Sequence, residues 1–485
     1  MSKFPPTPEQ QAIIDAAQNT KDNLIVSALA GAAKTSTLVL IAEALKDTQI
    51  LCLAFNKRIA VEMQERLPSN CTAMTLNSLG HRVWSEVVSK RLILKESKTF
   101  EILSRQTKEL PQKTQELVYE NFAEIKKTID YSKVCGFIPI KDFPRAKSLI
   151  SADDFFADLE EAPSIREEEL ILNVVRESIQ LGLEGIIDFN DQIILPTLFP
   201  SMFPFYPLVM VDEAQDLSSL NHATLHKLAK RRLVAVGDEN QAIYAFRGAH
   251  EDSMLTLQQA FNMKKLQLSI SFRCPQAVVR EAQWRAPHMR WPEWAREGNV
   301  TTLSSWSATD IPPSAAIICR NNAPLFNMAI KLLKNGRFPQ IIGNDIGKYL
   351  VKVMKKFGKT DLPQARVFTA IDDWTTEKLK KSRAPSKVYD QADCLRIFAN
   401  QSETLGGAIA YAEHLFNSQG PITLMTGHKS KGLEFDTVFF LDQHLIKSEE
   451  FEQEKNLKYV IQTRAKEQLI YVESSTFEDN SHDTE

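Results

Sequence analysis

With 485 residues the chain can build several hydrophobic cores, and about 150 residues per domain gives three or four domains. Hydrophobic residues at 43% and charged residues at 25% set an ordinary globular balance, and no apolar run approaches the ~20 residues of a membrane span. The net charge of −3 excludes a globally basic binder of nucleic acid, but leaves a local basic groove open. The start, Met1 to Pro6, lacks the basic and apolar regions of a secretory signal, so a cytoplasmic protein is expected. Six scattered cysteines lack metal-ligand or redox spacing and are expected to be reduced and mostly buried.

In chain order, residues 8–17 read as a helix and residues 23–26 as an apolar strand. A turn containing Gly31 and an amphipathic helix through Leu45 follow, then a strand over residues 50–55. This βαβ order predicts a parallel sheet with crossover helices. Residues 87–185 are mostly helical, and their acidic patch (Asp153, Asp154, Asp158, Glu160, Glu161) reads as a solvated face. Strand signals return at 208–211 and 233–236, each followed by a turn that carries carboxylates. The carboxyl ends of such strands are where open α/β sheets bind ligands. Residues 315–319, 437–441 and 468–472 suggest a second α/β unit. Between them, residues 346–412 read as a helical, patchily basic insertion. The tail from residue 475 is polar and acidic, and disorder is expected there.

The segment Ala28-Leu29-Ala30-Gly31-Ala32-Ala33-Lys34-Thr35 follows a strand and opens a helix, the context of a phosphate-binding loop. Backbone N–H groups from Ala30 through Ala32 and Ala33 to Ser36 would hold phosphate oxygens. Lys34 would reach the outer phosphates and Thr35 would bind Mg²⁺. Ala28 and Ala33 stand where this pattern carries glycine. Ala33 matters more, because its Cβ restricts close approach of the backbone. Asp212 and Glu213 follow an apolar strand, where one carboxylate can hold Mg²⁺ and the other can orient and deprotonate water.

Several strings then occur in a fixed order: Thr7-Pro8-Glu9-Gln10, Asp212-Glu213-Ala214-Gln215-Asp216 and the stretch from Val236 to Ala249. They continue with Ser271-Phe272-Arg273-Cys274-Pro275, the stretch from Thr426 to Phe435, and the stretch from Tyr459 to Lys466. Together they resemble the UvrD/PcrA/Rep family of superfamily 1A DNA helicases. Leu53-Ala54-Phe55-Asn56-Lys57 adds a likeness to the F-box DNA helicase branch. The resemblance implies two RecA-like P-loop NTPase lobes with parallel sheets, each interrupted by a mainly helical insertion. It implies an ATP- and Mg²⁺-dependent enzyme moving 3′ to 5′ on single-stranded DNA, acting at junctions of single and double strands. Lobe one would comprise residues 1–86 and 187–276, interrupted by 87–186. Lobe two would comprise 277–345 and 413–474, interrupted by a reduced insertion at 346–412.

By the same resemblance, Phe272 would stack on adenine, Gln10 would read its edge and Glu434 would contact the ribose. Gln241 would sense the γ-phosphate, and Arg273 and Arg464 would stabilise charge on the transferring phosphoryl group, with Lys34, Asp212 and Glu213 completing the catalytic set. DNA contacts would come from Phe55, Lys57, Asn77, His81, Tyr244, Phe246, Arg247 and His428. Asn77 and Phe246 stand where the family usually carries His and Trp. Asp188 and Asp191 read equally as coupling residues or as helix caps. Trp284, Trp291 and Trp294, interleaved with Arg285, Arg290 and Arg296, read as lobe packing or as another DNA platform. A monomer acting in repair or replication is expected. Two alternatives stay open: a non-catalytic DNA-binding protein with a decayed nucleotide loop, and a translocase that does not unwind.

Overall fold

A computed structural model describes residues 5–159, 161, 163–244 and 252–478. Two compact units divide the chain: Met1–Ala28 with Ala33–Leu268, and Leu29–Ala32 with Ser269–Glu485. Each is built on a six-stranded, all-parallel sheet, the α/β class the sequence predicts. Among the described residues no helix is long and apolar enough to cross a membrane. The cysteines are free, and all but the half-buried Cys135 are buried.

In the first unit the strands lie in the order Cys71–Met74, Ile50–Leu53, Leu208–Val211, Leu233–Gly237, Leu24–Ala28, Lys264–Leu268. The four inner strands are apolar and nearly all buried, as a sheet covered on both faces requires. The two edge strands carry no clear strand signal. Lys264–Leu268 holds two exposed lysines, the polar dress of an edge. Thr7 caps the first helix, Pro8–Asn19, in a capping box with Gln10.

The helices Lys98–Lys108, Gln112–Val134 and Ile165–Leu183 form a core of their own with Leu76–Val88 and Asp191–Leu198. Two of these helices nearly touch: a Cβ at Gly80 would meet the Gln192 carbonyl oxygen at 1.8 Å, so only glycine fits there. At the base of this core lies a buried quartet of charges. Lys98 Nζ is 2.5 Å from Asp191 Oδ2, and Lys133 Nζ donates to Asp188, to Asp191 Oδ1 at 2.8 Å and to Ser178 Oγ at 2.8 Å. Asp188 Oδ1 also accepts from the backbone N–H of Asn190 and Asp191. Thus Asp188 caps the start of Asp191–Leu198, Asp191 Oδ2 accepts from the Asp188 N–H in return, and the two carboxylates compensate two buried lysines. Burial alone would raise the Asp188 carboxyl, but Lys133 reverses it and holds that pKa low. Burial lowers Lys98 despite Asp191 beside it.

In the second unit the order is Pro339–Ile341, Ile422–Thr426, Ala316–Cys319, Phe435–Leu441, Ala465–Val472, Asn299–Thr302. The helices Asn344–Met354, Gln364–Lys381, Pro385–Ala399 and Leu405–Asn417 cover the expected insertion. They build no separate core: Leu350, Met354, Ile371, Leu395 and Phe398 bury in the same cluster as Ile317, Leu424 and Phe439. Ser269–Gln276, expected at the end of the first lobe, group with this unit. The reason is local pairing: Ser271 N–H donates to the Arg290 carbonyl and Gln276 N–H to that of Arg296.

The disorder expected from residue 475 is contradicted up to Glu478, which is ordered. Phe477–Glu478 pairs in parallel with Trp306–Ser307, and the Phe477 ring sits edge-on to Trp306 at 5.0 Å. One buried aromatic side chain outweighs the polar composition around it.

Removing one member of the buried quartet leaves an uncompensated charge. Asp191→Ala is therefore expected to lower unfolding free energy by about 3–5 kcal/mol in denaturant titration. A loss below about 1 kcal/mol would mean that water reaches the quartet.

Candidate functional site

In the first unit the parallel strands Leu24–Ala28, Leu208–Val211 and Leu233–Gly237 end at the same edge of the sheet, and each is followed by a polar segment. Lys34 opens the helix Lys34–Ala44 and points its Nζ at Glu213 Oε2, 2.7 Å away. Thr35 Oγ1 donates to Asp212 Oδ2 at 2.9 Å. Gln215 Nε2 donates to Glu213 Oε2 at 2.6 Å, and its Oε1 accepts from Asp238 N–H at 2.9 Å. Gln241 Nε2 in turn donates to Asp238 Oδ2 at 2.6 Å. A continuous chain of contacts thus runs Lys34, Glu213, Gln215, Asp238, Gln241. A Cβ at Gly237 would meet Gln215 Oε1 at 2.5 Å, so this glycine keeps the relay open.

The electrostatics are short of positive charge. Burial, then the neighbouring Glu213, pushes the Asp212 carboxyl up to about 6 even though Lys34 opposes the shift. Burial raises Asp238 as well. For Lys34 burial favours the neutral amine, but Glu213, Asp212 and Asp238 outweigh it and raise its pKa. One ammonium serves three carboxylates. A hydroxyl and a carboxylate at Thr35 and Asp212 form a hard oxygen donor set, which fits Mg²⁺.

Two non-glycine residues at this corner have left-handed backbone: Ala33 with φ 56° and Glu213 with φ 54°. The sequence expectation placed the cost of Ala33 in its Cβ crowding a phosphate. A backbone cost is already present, since an L-residue in this region costs roughly 1–2 kcal/mol. Ser36 Oγ accepts from Arg66. Gln10 is buried, with Oε1 accepting from Thr7 N–H and Nε2 donating to Thr37 Oγ1 at 3.1 Å, so its amide is committed within the fold.

On the same unit Phe55 stands 54% exposed just beyond its strand. Asn56 caps the next helix, whose first residue is the exposed Lys57. Asn77 Nδ2 donates to the Phe189 carbonyl at 2.9 Å, and the half-buried His81 follows one turn later on the same helix. Phe55 and Tyr244 line one cavity of about 180 Å³ together with Lys133, Asn190, Asp216 and Asn221. Phe246 and Arg247 lie outside the described residues.

In the second unit the Leu29–Ala32 segment is held closely. Its Ala30 N–H donates to the buried Tyr459 hydroxyl at 3.0 Å, and the Gly31 carbonyl accepts from Phe272 N–H at 2.9 Å. Gly31 has φ 74°, and a Cβ there would collide with Ser271 and Arg273. The Phe272 ring stacks on Trp294, centroids 6.3 Å apart. Arg273 Nε lies 2.6 Å from Glu434 Oε2, off the line of a good hydrogen bond. Arg464 is buried and donates to the Val460 and Leu433 carbonyls. Gly427, packed on Leu457 and Ile461, sets the half-buried His428 on the short helix Gly427–Ser430. The arginines interleaved with tryptophan are paired: Arg285 with Asn456 and Glu452, Arg290 with Ser269, Arg296 with Glu467. Trp284 Nε1 donates to Gln462.

A family model described as the UvrD/REP helicase N-terminal domain matches residues 7–262, more than half of the chain. The chain belongs to the UvrD/REP helicase family. The UvrD-like helicase C-terminal domain matches residues 367–476. The chain is similar to F-box DNA helicase protein 1 of Schizosaccharomyces pombe, 22% identical over 97% of this chain and 58% of that protein. It is also similar to F-box DNA helicase 1 of Gallus gallus, 25% identical over 98% of this chain and 50% of that protein. ATP-dependent DNA helicase PcrA of Leuconostoc citreum is 23% identical over 59% of this chain and 41% of that protein. The chain spans about half the length of these curated relatives.

In this UvrD/REP chain Gln215 and Asp238 join the site although the sequence reading does not single them out; both lie inside the motif strings. Asp238 directly follows an apolar strand, and Gln215 lies in the turn after another. Tyr459 opens a quoted motif string but its partner Ala30 is shown only by the fold, and the two buried lysines have no local signal at all.

Two outcomes follow from strain and charge at this corner. Ala33→Gly relieves the left-handed backbone and is expected to raise stability by about 1 kcal/mol in thermal or chemical melts. A loss of stability would show that the methyl group is needed for packing. For Asp212, the folded pKa is raised above the ordinary 3.8. Its contribution to stability is therefore full below about pH 4 and lost as pH rises through about 6. Asp212→Asn is expected to raise stability at pH 8 by an amount on the order of 1–3 kcal/mol, and to change little at pH 4. Equal effects at both pH values would refute this electrostatic account.

Proposed function

We propose that this chain is an ATP-dependent DNA motor that moves 3′ to 5′ along single-stranded DNA and separates strands at junctions. One observation carries the reading. In the first unit, residues 212–216 and 238–244 each run from the carboxylate cluster around Lys34 to the cavity lined by Phe55 and Tyr244. Asp212 and Gln241 stand at one end, Asp216 and Tyr244 at the other. Two short segments therefore connect a phosphate-binding corner to a pair of aromatic rings.

The chemistry follows from the contacts. Lys34 exchanges its Glu213 partner for phosphate oxygens, which frees Glu213 to take a proton from the attacking water. Thr35 and Asp212 would hold Mg²⁺, whose charge offsets that of the phosphates. Backbone N–H groups of residues 30–36 cradle the phosphates. Arg273 and Arg464 stabilise charge on the transferring group, a contribution that reaches about 10³ to 10⁵ in rate. Phe272 stacks on the base, Glu434 meets the ribose, and Gln10 reads the base edge after releasing Thr37. Gln241 carries phosphate state towards Tyr244. Phe55 and Tyr244 stack on bases, while Lys57, Asn77, His81 and His428, with Phe246 and Arg247, follow the strand. Residues 87–186 and 346–412 serve as the insertions of the two lobes, in a cytoplasmic monomer acting in repair or replication.

Ala28 and Ala33 favour a second reading, a DNA-binding protein with a decayed nucleotide loop. Against it stand the Lys34–Glu213 and Thr35–Asp212 contacts, which are formed. ATP hydrolysis measured with and without single-stranded DNA separates the two. DNA-stimulated hydrolysis is expected, and Glu213→Gln should reduce it by about 10² to 10⁴. Tyr244→Ala should weaken DNA binding by about one to two decades while ATP affinity without DNA stays the same. Undiminished hydrolysis in Glu213→Gln rules out this site, and no hydrolysis in the unaltered protein supports the decayed loop.

A further inference from the structure

The second unit holds a cluster of ligand-type side chains that the proposed motor does not use. The strands Phe435–Leu441 and Ala465–Val472 run in parallel with Leu441 opposite Val472. The residues that follow them, Asp442 and Glu473, therefore emerge side by side at the carboxyl edge of the sheet, where open α/β sheets hold ligands. Asp442 has left-handed backbone with φ 51°, which a short polar side chain tolerates, and the single turn Gln443–Leu445 follows it. That turn brings His444 back to Glu473, with Nδ1 2.9 Å from Oε2. One ligand atom from each of Asp442, His444 and Glu473 lies within 4.8 Å of the other two.

The charges in this cluster do not balance. Asp442 is 3% exposed, and its carboxylate lies within hydrogen-bond reach of the Glu473 carboxylate. Among the described residues Asp442 Oδ1 accepts from Ser474 N–H at 2.7 Å, and its Oδ2 meets no donor. No described lysine or arginine pairs with either carboxylate. Lys331 instead donates to the Ser474 carbonyl at 3.2 Å and lies over the Phe477 ring. A purely structural role explains the Ser474 contact and the His444–Glu473 pair. It does not explain why a second carboxylate is buried against the first with one imidazole between them and no fixed cation. A divalent cation removes that repulsion.

The donor set selects the ion. Mg²⁺ and Ca²⁺ take oxygen ligands, whereas an imidazole nitrogen with two carboxylates suits Zn²⁺. Three protein ligands leave a coordination position for water. A cavity of about 620 Å³ lies beside the cluster, lined by His444 and Glu473 together with Gln443 and Glu281, and gives water access to that position.

We propose that Asp442, His444 and Glu473 bind one Zn²⁺ ion in the second unit, with water completing the coordination from the cavity side. The ion ties together the ends of two adjacent strands and the chain at Ser474 that leads on to Phe477–Glu478. The site uses none of the residues assigned to nucleotide or DNA, so it stands or falls independently of the DNA-motor reading.

The test is isothermal titration calorimetry of the tag-free full chain with Zn²⁺ alone, in a buffer containing millimolar Mg²⁺. The Mg²⁺ keeps oxygen-only sites such as Thr35 and Asp212 filled. One saturable Zn²⁺ site per chain is expected. His444→Ala alters an exposed side chain and leaves the fold intact, checked by circular dichroism. It should weaken Zn²⁺ binding by about 100-fold or more, since even a residue that only supports a ligand contributes about 10- to 100-fold. Glu473→Gln should do the same. Asp442→Asn keeps an oxygen for the Ser474 N–H and tolerates the left-handed backbone, and it too should weaken binding. In thermal melts Zn²⁺ should raise the Tm of the unaltered protein and leave that of His444→Ala unchanged. Absence of saturable binding in the unaltered protein overturns the proposal, as does unchanged affinity in His444→Ala and Glu473→Gln. Binding that is lost in Asp212→Asn but kept in His444→Ala also overturns it, because the ion then sits at the nucleotide corner.

Discussion

The most demanding interaction in this protein is the sharing of one ammonium, Lys34, among Asp212, Glu213 and Asp238. Carboxylates buried together repel each other, and burial removes the water that would screen them. The first unit tolerates this because each group is tied down elsewhere. Asp212 accepts from Thr35, Glu213 from Gln215, and Asp238 from Gln241. The raised Asp212 carboxyl shows that these ties do not neutralise the cluster. It remains a site that favours added positive charge, which is what a metal-assisted reaction on a phosphate needs.

Strain gathers at the same place. Among the described residues five non-glycine positions have positive φ, and two of them, Ala33 and Glu213, flank the Lys34 contact. Neither conformation is demanded by a strand or a helix. Both set the direction in which the chain leaves the sheet and so aim Lys34 and the Glu213 carboxylate at each other. Local backbone cost is offset by the rigid parallel strands on either side, whose inner members are almost wholly buried.

The two helical regions do different work. The helices within 87–186 share one core with Leu76–Val88 and Asp191–Leu198, tied together by two buried lysines and two aspartates. That anchor also fixes the backbone of Asn190, which lines the cavity beside Phe55 and Tyr244. The helices over residues 344–417 instead merge with the core of the second sheet. They thicken that unit and do not stand apart from it.

Much of the architecture was legible in the sequence, because apolar runs of three to five residues between helical patterns leave few options besides a parallel sheet. Residues 24–26, 208–211, 233–236, 316–319 and 437–441 carry this signal. The strands at 71–74, 264–268, 299–302 and 339–341 do not, since edge strands bury one side or less and can be polar. Ile422–Thr426 is interior, but it is short and runs straight into the string that begins at Thr426. The motif strings named Lys34, Thr35, Asp212, Glu213 and Gln241 as site residues. Which of them meet was decided by tertiary structure. Gln215 bridges Glu213 and Asp238 only because adjacent parallel strands bring 211 and 235 side by side. Nothing local sets Lys98 and Lys133 apart in their helices, yet folding encloses both against carboxylates far along the chain. Periodicity reports what a residue's near neighbours are. It carries no information about a partner some 60 to 90 positions away, and a buried charge is stable only with such a partner.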